Sequence, residues 1–121
     1  MNNNIGKLET EDGKIYALQI GHNLIGRLSD VPKNDIEIDV DDICFSRQHF
    51  VIDVVMQNSE SYDYILSDYN SKNGTSVVFH VNKLKKELNE TARIYLKNGD
   101  VIIAGKTKLK LVIPNKDKNN S

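Results

Sequence analysis

The chain of 121 residues has a single cysteine, Cys44, and no large surplus of either charge. A lone cysteine excludes an internal disulfide framework and a paired-cysteine metal or redox site. It favours a reducing, cytoplasmic compartment, or a nuclear one if the source is eukaryotic. Because 16 Lys and Arg face 17 Asp and Glu, for a net charge of -1, we expect no bulk attraction to nucleic acid.

Long apolar runs are also missing. The first residues lack a basic start followed by roughly 7 to 15 apolar residues, and no run reaches about 18. We therefore expect neither a signal peptide nor a membrane span. The length suits one domain with one core.

Apolar residues recur mainly with period two, in short runs separated by Gly, Asn, Asp and Ser. This pattern is typical of strands and predicts an all-β fold, either a sandwich or a barrel. In the last run, Leu109, Leu111 and Ile113 are expected to face inward. The predicted strands are Lys14–Ile20, Asn23–Gly26, Ile36–Ile38, His49–Met56, Tyr62–Ser67, Thr75–Phe79, Arg93–Leu96, Val101–Ala104 and Lys108–Ile113.

Two segments differ from this pattern. Val81, Leu84 and Leu88 are spaced by three and four residues, which indicates a short turn of helix within residues 81–90. The tail from Pro114 to Ser121 has no apolar residue beyond the proline, and we expect it to be flexible.

Three polar turns stand out between the predicted strands, at residues 26–27, 44–49 and 68–75. The chain has only three arginines against 13 lysines, and two of them, Arg27 and Arg47, lie in these turns. The planar guanidinium suits a phosphate or a carboxylate, so the placement indicates an anion site.

The ordered set of motifs resembles a forkhead-associated (FHA) domain, the phosphothreonine-binding β-sandwich. The resemblance implies two sheets with about nine to eleven strands. It places an N-terminal extension at 1–13, an FHA-like domain at 14–113 and the tail at 114–121. The matching motifs are Gly26-Arg27, Asn34-Asp35-Ile36, Ser46-Arg47-Gln48-His49, Leu66-Ser67-Asp68, Ser71-Lys72-Asn73-Gly74-Thr75, Leu96-Lys97-Asn98-Gly99-Asp100-Val101-Ile102 and Gly105.

The resemblance implies a phosphate site made of four residues. Arg27 and Ser46 match the positions that grip the phosphate, through charge-assisted hydrogen bonds and a hydroxyl. Arg47 and Lys72 match positions that assist. The residue chemistry agrees, because a phosphothreonine carries about -1.5 to -2 charge and three acceptor oxygens, and these side chains supply donors and positive charge.

The resemblance also implies supporting roles. Asn73 matches the asparagine that hydrogen-bonds the peptide backbone beside the phosphothreonine. His49 matches a histidine that braces the loops. Gly26 and Gly74 match glycines that permit turns, and Thr75 closes the Asn-Gly-Thr motif.

We expect a non-catalytic module that binds phosphothreonine segments written by a Ser/Thr kinase pathway, with no cofactor, metal, nucleic acid or membrane partner. No catalytic set or HExxH motif accompanies the site. One alternative is a module of the same fold with phosphorylation-independent contacts. Another alternative is a small metal-dependent hydrolase that uses the histidines and the aspartate cluster Asp39, Asp41 and Asp42. We interpret this cluster instead as a solvated loop that repels acidic peptide segments.

One segment departs from the family pattern. A Val-Asn-Gly hairpin commonly follows the Asn-Gly-Thr turn closely, but here the Val-Asn step comes late, at Val81-Asn82, and Lys83 replaces the glycine. We expect a lengthened or rebuilt hairpin. Cys44, two residues before Ser46, offers no charge to a flanking ligand residue.

Overall fold

A computed structural model describes residues 5–114, which form eleven β-strands and no helix. No segment among them could therefore cross a membrane as a helix. The strands are β1 Lys7–Thr10, β2 Ile15–Ala17, β3 Gly21–Arg27, β4 Ile36–Ile38, β5 Phe50–Asn58, β6 Ser61–Asp68, β7 Thr75–Val78, β8 Lys85–Glu87, β9 Ile94–Leu96, β10 Val101–Ala104 and β11 Thr107–Val112.

The strands form two sheets. One has six strands in the order β2-β1-β11-β10-β7-β8, and the other has five in the order β4-β3-β5-β6-β9. The pairs are antiparallel except for β3 and β4, which run parallel with Ile25 opposite Ile36. The expected all-β sandwich of two sheets is confirmed.

The core follows from the alternation of side chains along each strand. In β5, Phe50, Ile52 and Val54 are buried because every second residue faces the other sheet. In β11, Leu109 and Leu111 are fully buried, while Lys108 and Lys110, which alternate with them, are exposed, as the sequence predicts. Each fully buried side chain of this size stabilises the fold by about 1.5–3 kcal/mol relative to exposure.

The helical turn expected within residues 81–90 does not form. Lys85–Glu87 pair with β7 as strand β8, with Lys85 opposite Val78. The apolar spacing does not create a buried face, because Val81 is 84% exposed and Leu84 62% exposed. Without such a face, a segment this short cannot offset the cost of helix nucleation.

Residues 1–13, which we expected to form an N-terminal extension, include strand β1 of the sandwich. Strand β1 pairs with both β2 and β11, and its Leu8 is fully buried. Just before it, the backbone N–H of Gly6 donates to the hydroxyl of Tyr64 at 2.7 Å. The domain boundary at residue 14 and the flexible tail remain predictions, and residues 115–121 lie outside the described part of the chain.

Several strand ends and loops meet at one end of the sandwich. Strand β3 ends at Arg27, β6 ends at Asp68 opposite Phe50, and β7 begins at Thr75 opposite Ala104. The segments that leave these ends are the β3–β4 loop (28–35), the β4–β5 loop (39–49) and the β6–β7 loop (69–74). They contain most of the candidate site residues, and this end is called the loop end below.

Candidate functional site

Two glycines let the β4–β5 loop approach both sheets. A Cβ on Gly26 would lie 2.0 Å from the carbonyl oxygen of Arg47, and a Cβ on Gly105 would lie 2.6 Å from the carbonyl carbon of Cys44. No other residue fits this space without moving the backbone. Gly26 lies inside β3 and outside the left-handed region, so it permits a close approach and not the turn that the resemblance implies.

Arg27, the last residue of β3, is partly fixed and partly available. Its backbone N–H donates to the carbonyl of Ser46 at 3.0 Å, and its Nε donates to the carbonyl of Phe45 at 2.9 Å. Neither terminal nitrogen has a hydrogen bond or ion pair within residues 5–114. The guanidinium is thus held in place through its Nε atom, and its terminal N–H groups can bind an external anion.

Ser46 connects two loops through its hydroxyl. The backbone N–H of Lys72 donates to Ser46 Oγ at 3.1 Å, which joins the β6–β7 loop to the β4–β5 loop. The hydroxyl keeps its own proton for donation. The Lys72 side chain is exposed and pairs with no carboxylate in the described part of the chain, so its charge is available for an external anion.

Asn73 makes a second connection between the same loops. Its Nδ2 donates to the carbonyl of Cys44 at 2.9 Å, and the side chain is exposed. One N–H and the Oδ1 oxygen remain for other partners. This pairing of a free donor with a free acceptor suits an extended peptide backbone.

His49 braces the loops from inside the sandwich and is fully buried. Its Nδ1 accepts the backbone N–H of Ser46 at 2.9 Å, and its Nε2 donates to the carbonyl of Gly74 at 2.9 Å. Its backbone donates to Ile25 and accepts from Tyr69. One residue therefore connects β3, β5 and both loops, in the bracing role that the resemblance implies.

The surroundings of His49 favour the neutral ring. Burial lowers the pKa of the imidazole below its ordinary value of 6.5, and the nearby Gly74 carbonyl, Asp68 and Asp42 oppose this shift without overcoming it. The ring also packs edge-on against Phe45, with centroids 5.1 Å apart at 82°. The brace is an uncharged side chain in an apolar setting.

Asp68 organises the β6–β7 loop from its first turn. Its carboxylate accepts the backbone N–H of Ser71 at 3.0 Å, the Ser71 hydroxyl, and the Thr75 hydroxyl at 2.6 Å. Burial alone would raise the pKa of this carboxyl, but the hydrogen bonds from Ser71 and Thr75 hold it below 3.8. Thr75 is buried beneath the loop, and Gly74 adopts a φ of 82° that favours glycine. The Asp-x-x-Ser spacing is the sequence signal for this turn.

Asp42 differs from the solvated carboxylate that we expected. It accepts the backbone N–H of Cys44 at 3.0 Å, the backbone N–H of Lys106 at 2.8 Å and the Thr107 hydroxyl at 2.6 Å. Desolvation opposes ionisation, but these bonds keep the pKa of Asp42 below 3.8. The residue fastens the β4–β5 loop to the β10–β11 turn. Within residues 5–114, no group of three or more His, Cys, Asp and Glu side chains could hold a metal ion.

Arg47 lies at the edge of the site. Its side chain is exposed and forms no hydrogen bond or ion pair with residues 5–114. Its carbonyl accepts the Asn34 amide at 2.5 Å. The structure thus bonds Arg27, Lys72 and Asn73 to the segment 44–46 of the β4–β5 loop. The Arg47 side chain instead lines an open cavity.

Comparison with known proteins assigns the family. The FHA domain family model matches residues 23–105, which is more than half of the chain. The chain therefore belongs to the FHA domain family. No curated protein is a significant match.

Solved structures support this assignment. One comes from a study of phosphothreonine-dependent FHA domain interactions; it is 28% identical, has a TM-score of 0.66, and covers 92% of this chain and 98% of its own. A second is the FhaA FHA domain complexed with the intracellular domain of Rv3910, at 30% identity, TM-score 0.63, and coverage of 88% and 98%. A third is Mycobacterium tuberculosis EmbR with a low-affinity phosphopeptide, at 28% identity, TM-score 0.65, and coverage of 90% and 24%.

Proposed function

We propose that the chain is a non-catalytic recognition module that binds phosphothreonine-containing protein segments at its loop end. The observation that carries this proposal is the free part of the Arg27 guanidinium, which is bonded through Nε to Phe45, the residue before Ser46. Arg27 and Ser46 are both held in place by bonds that leave donors unused. Neighbouring FHA structures that concern phosphothreonine-dependent interactions or hold a phosphopeptide support it.

The electrostatics of the site agree with an anionic ligand. Arg27 and Lys72 contribute positive charge without a paired carboxylate in the described residues. Asp68 and Asp42, the carboxylates that are bonded into the loop end, already accept several hydrogen bonds each within the fold. Hydrogen bonds to charged groups contribute about 1.5–3 kcal/mol each, so two or three account for roughly half of a micromolar affinity.

The proposed peptide contact falls to Asn73, whose amide has a free donor and acceptor next to Cys44. The ligand would be a product of a Ser/Thr kinase pathway, and the chain would act in the cytoplasm. The family resemblance implies a preference for threonine over serine.

The test is fluorescence polarisation with a peptide library fixed at phosphothreonine. Matched peptides carry phosphoserine or unmodified threonine. Arg27→Ala removes the free guanidinium, and Arg93→Ala is the matched control, because Arg93 pairs with Asp53 on the outer face of the five-stranded sheet. Near-micromolar binding to phosphothreonine is expected, weakened about 10- to 100-fold by Arg27→Ala and unchanged by Arg93→Ala.

Two results would contradict the proposal. Equal binding of phosphorylated and unmodified peptides by the folded domain would favour a phosphorylation-independent contact module. Equal losses in the two arginine variants would mean that Arg27 does not contact the phosphate. Circular dichroism on each variant separates loss of binding from loss of fold.

A further inference from the structure

The chain has two Asn-Gly steps, Asn73-Gly74 in the β6–β7 loop and Asn98-Gly99 in the turn between β9 and β10. An Asn-Gly step can deamidate without an enzyme, because the backbone nitrogen of the glycine can attack the side-chain amide of the asparagine. Glycine permits this approach since it has no Cβ to obstruct it. The local chemistry of the two steps is the same, so a difference between their rates in the folded protein comes from the structure around them.

The structure makes the two steps alike in three respects. Both asparagine side chains are exposed, and both glycines have a left-handed φ, 82° in the first step and 90° in the second. Each side-chain amide also makes one hydrogen bond within residues 5–114. Asn73 Nδ2 donates to the carbonyl of Cys44 at 2.9 Å. Asn98 Oδ1 accepts the backbone N–H of Ile113 at 2.7 Å, so the amide under attack is restrained to a similar degree in both steps.

The two steps differ at the attacking nitrogen. The N–H of Gly99 donates to the carbonyl of Leu111 in β11 at 2.8 Å. The N–H of Gly74 has no hydrogen-bond partner in the described part of the chain. A hydrogen-bonded N–H must open before a base can remove its proton, as in amide hydrogen exchange, and it is the deprotonated nitrogen that attacks. Gly74 can therefore react from the folded state, whereas Gly99 must first lose a bond of the fold.

We propose that Asn73 is a site of spontaneous deamidation, which converts the side chain that would contact the peptide into a carboxylate. The Gly74 nitrogen loses its proton to solvent base and bonds to Asn73 Cγ. The Cγ–Nδ2 bond then breaks, and the leaving nitrogen takes up a proton and departs as ammonia. Water hydrolyses one of the two C–N bonds of the resulting imide ring. One product is aspartate, and the other is isoaspartate, which has an additional methylene in the backbone.

The effect of this reaction on ligand binding rests on the proposed function. Both products have a carboxylate in place of the amide, and a carboxylate cannot donate to the Cys44 carbonyl. The bond from Asn73 to the β4–β5 loop is then lost. Negative charge is added at the residue after Lys72, in a site that would bind a phosphate of about -1.5 to -2 charge. Deamidation is therefore expected to weaken phosphopeptide binding, and a bound peptide that engages the Asn73 amide is expected to slow deamidation.

The first experiment measures both rates in the same molecules. The folded chain is incubated in mildly alkaline buffer and digested at intervals, and mass spectrometry follows the replacement of NH2 by OH in each peptide. Cleavage after Lys72 and Lys97 gives two peptides that each begin with Asn-Gly, and fragment ions separate Asn73 from Asn82. Asn73 is expected to deamidate at least about tenfold faster than Asn98 in the folded chain. In urea the two rates should converge, because the fold no longer protects the glycine N–H.

The second experiment measures the effect on the ligand by fluorescence polarisation with a phosphothreonine peptide. Asn73→Asp, which is one of the two products, should weaken binding at least about tenfold. Asn98→Asp is the matched control and should leave binding unchanged, because a carboxylate oxygen still accepts the Ile113 N–H. In the wild-type chain, the binding-competent fraction should fall in step with the intact fraction of Asn73. A saturating phosphopeptide should slow the reaction at Asn73 and not at Asn98.

The outcomes separate this inference from the proposed function. An Asn98 rate equal to or above that of Asn73 in the folded chain would overturn the modification site, as would an Asn73 that stays intact while the chain in urea reacts. Faster deamidation at Asn73 in a folded chain that binds no phosphopeptide would support the modification site and reject the proposed function. If phosphopeptides bind through Arg27 and Asn73→Asp binds them as tightly as wild type, the proposed function stands and the effect of deamidation on the ligand is overturned.

Discussion

The Nδ1 atom of His49 accepts the backbone N–H of Ser46 at 2.9 Å. A backbone N–H can only donate, and the Gly74 carbonyl on the other side of the ring can only accept. The ring must therefore be neutral, with its proton on Nε2. The segment that carries the proposed phosphate-binding hydroxyl depends on the protonation state of a buried side chain.

This dependence predicts a loss of stability in mild acid. Burial lowers the pKa of His49 below 6.5 in the folded state, so the unfolded chain binds the proton more readily. The stabilisation that comes from the neutral His49 ring is fully present above about pH 6.5. It is lost as the pH falls toward the lowered pKa of His49. We expect the Tm of the unliganded domain to fall between about pH 7 and pH 5.

Histidine variants test the source of this slope. His49→Gln should lower the Tm at neutral pH and flatten its dependence on pH in this window. His80→Gln, at an exposed histidine, should leave both unchanged. A slope that survives in His49→Gln would assign the titration to another group.

Gly26→Ala should damage the loop end more than any exposed substitution nearby. The new Cβ would lie 2.0 Å from the backbone of Arg47 and 2.8 Å from the Asn34 amide, so the loop carrying Ser46 must move away from β3. Overpacking of this kind costs about 1–3 kcal/mol or more. We expect lower stability in urea and at least about tenfold weaker phosphopeptide binding, whereas Ser59→Ala in the exposed β5–β6 turn should change neither. Wild-type affinity in Gly26→Ala would show that the close approach is not needed.

The sequence predicts most of the sandwich because period-two alternation is strong in the central strands. It misses β1, since Lys7–Thr10 contains one apolar residue, Leu8, and its burial depends on pairing with β11 far along the chain. The spacing of Leu84 and Leu88 indicates a helix, but pairing with β7 determines the structure there. Local patterns cannot encode such long-range partners.

Part of the candidate site can likewise be predicted from local sequence, and part of it depends on contacts between residues far apart in the chain. Arg27, Ser46 and Asn73 are identified by short motifs, and the structure places them at one end of the sandwich. The contacts of Asp42 with Thr107 and of Asn34 with Arg47 join residues distant in sequence. From composition alone, Asp42 is therefore expected to be solvated, whereas in the fold its carboxylate accepts hydrogen bonds from the β10–β11 segment.

Asp68→Asn should loosen the loop that carries Lys72 and Asn73. An amide nitrogen in place of either carboxylate oxygen cannot accept the Ser71 or Thr75 donors, and unsatisfied groups of this kind cost about 1–3 kcal/mol. The lowered pKa of Asp68 means that the wild-type advantage is present above about pH 3.8 and is lost as the pH falls through the folded pKa.

Urea unfolding at neutral pH and near pH 3 measures this difference. The gap between wild type and Asp68→Asn should be about 1–3 kcal/mol at neutral pH and should narrow in acid. Asp30→Asn, at an exposed aspartate, should show no gap at either pH. A gap that stays constant with pH would mean that charge is not the cause.

Lys83 has a φ of 62° in the turn between β7 and β8, at the position where the family pattern commonly has glycine. For a residue with a Cβ, this left-handed conformation lowers the free energy of unfolding by roughly 1–2 kcal/mol. Glycine avoids this cost, but the greater freedom that it gives the unfolded chain lowers the free energy of unfolding by about 0.4–1 kcal/mol. Lys83→Gly should therefore stabilise the domain by up to about 1 kcal/mol, measured as a higher urea midpoint with an unchanged m-value. Lys83→Ala keeps the Cβ and should gain nothing, and the β-branched Lys83→Val should be less stable than wild type. If Lys83→Ala and Lys83→Gly gain equally, the gain does not come from relief of strain in the backbone of this hairpin.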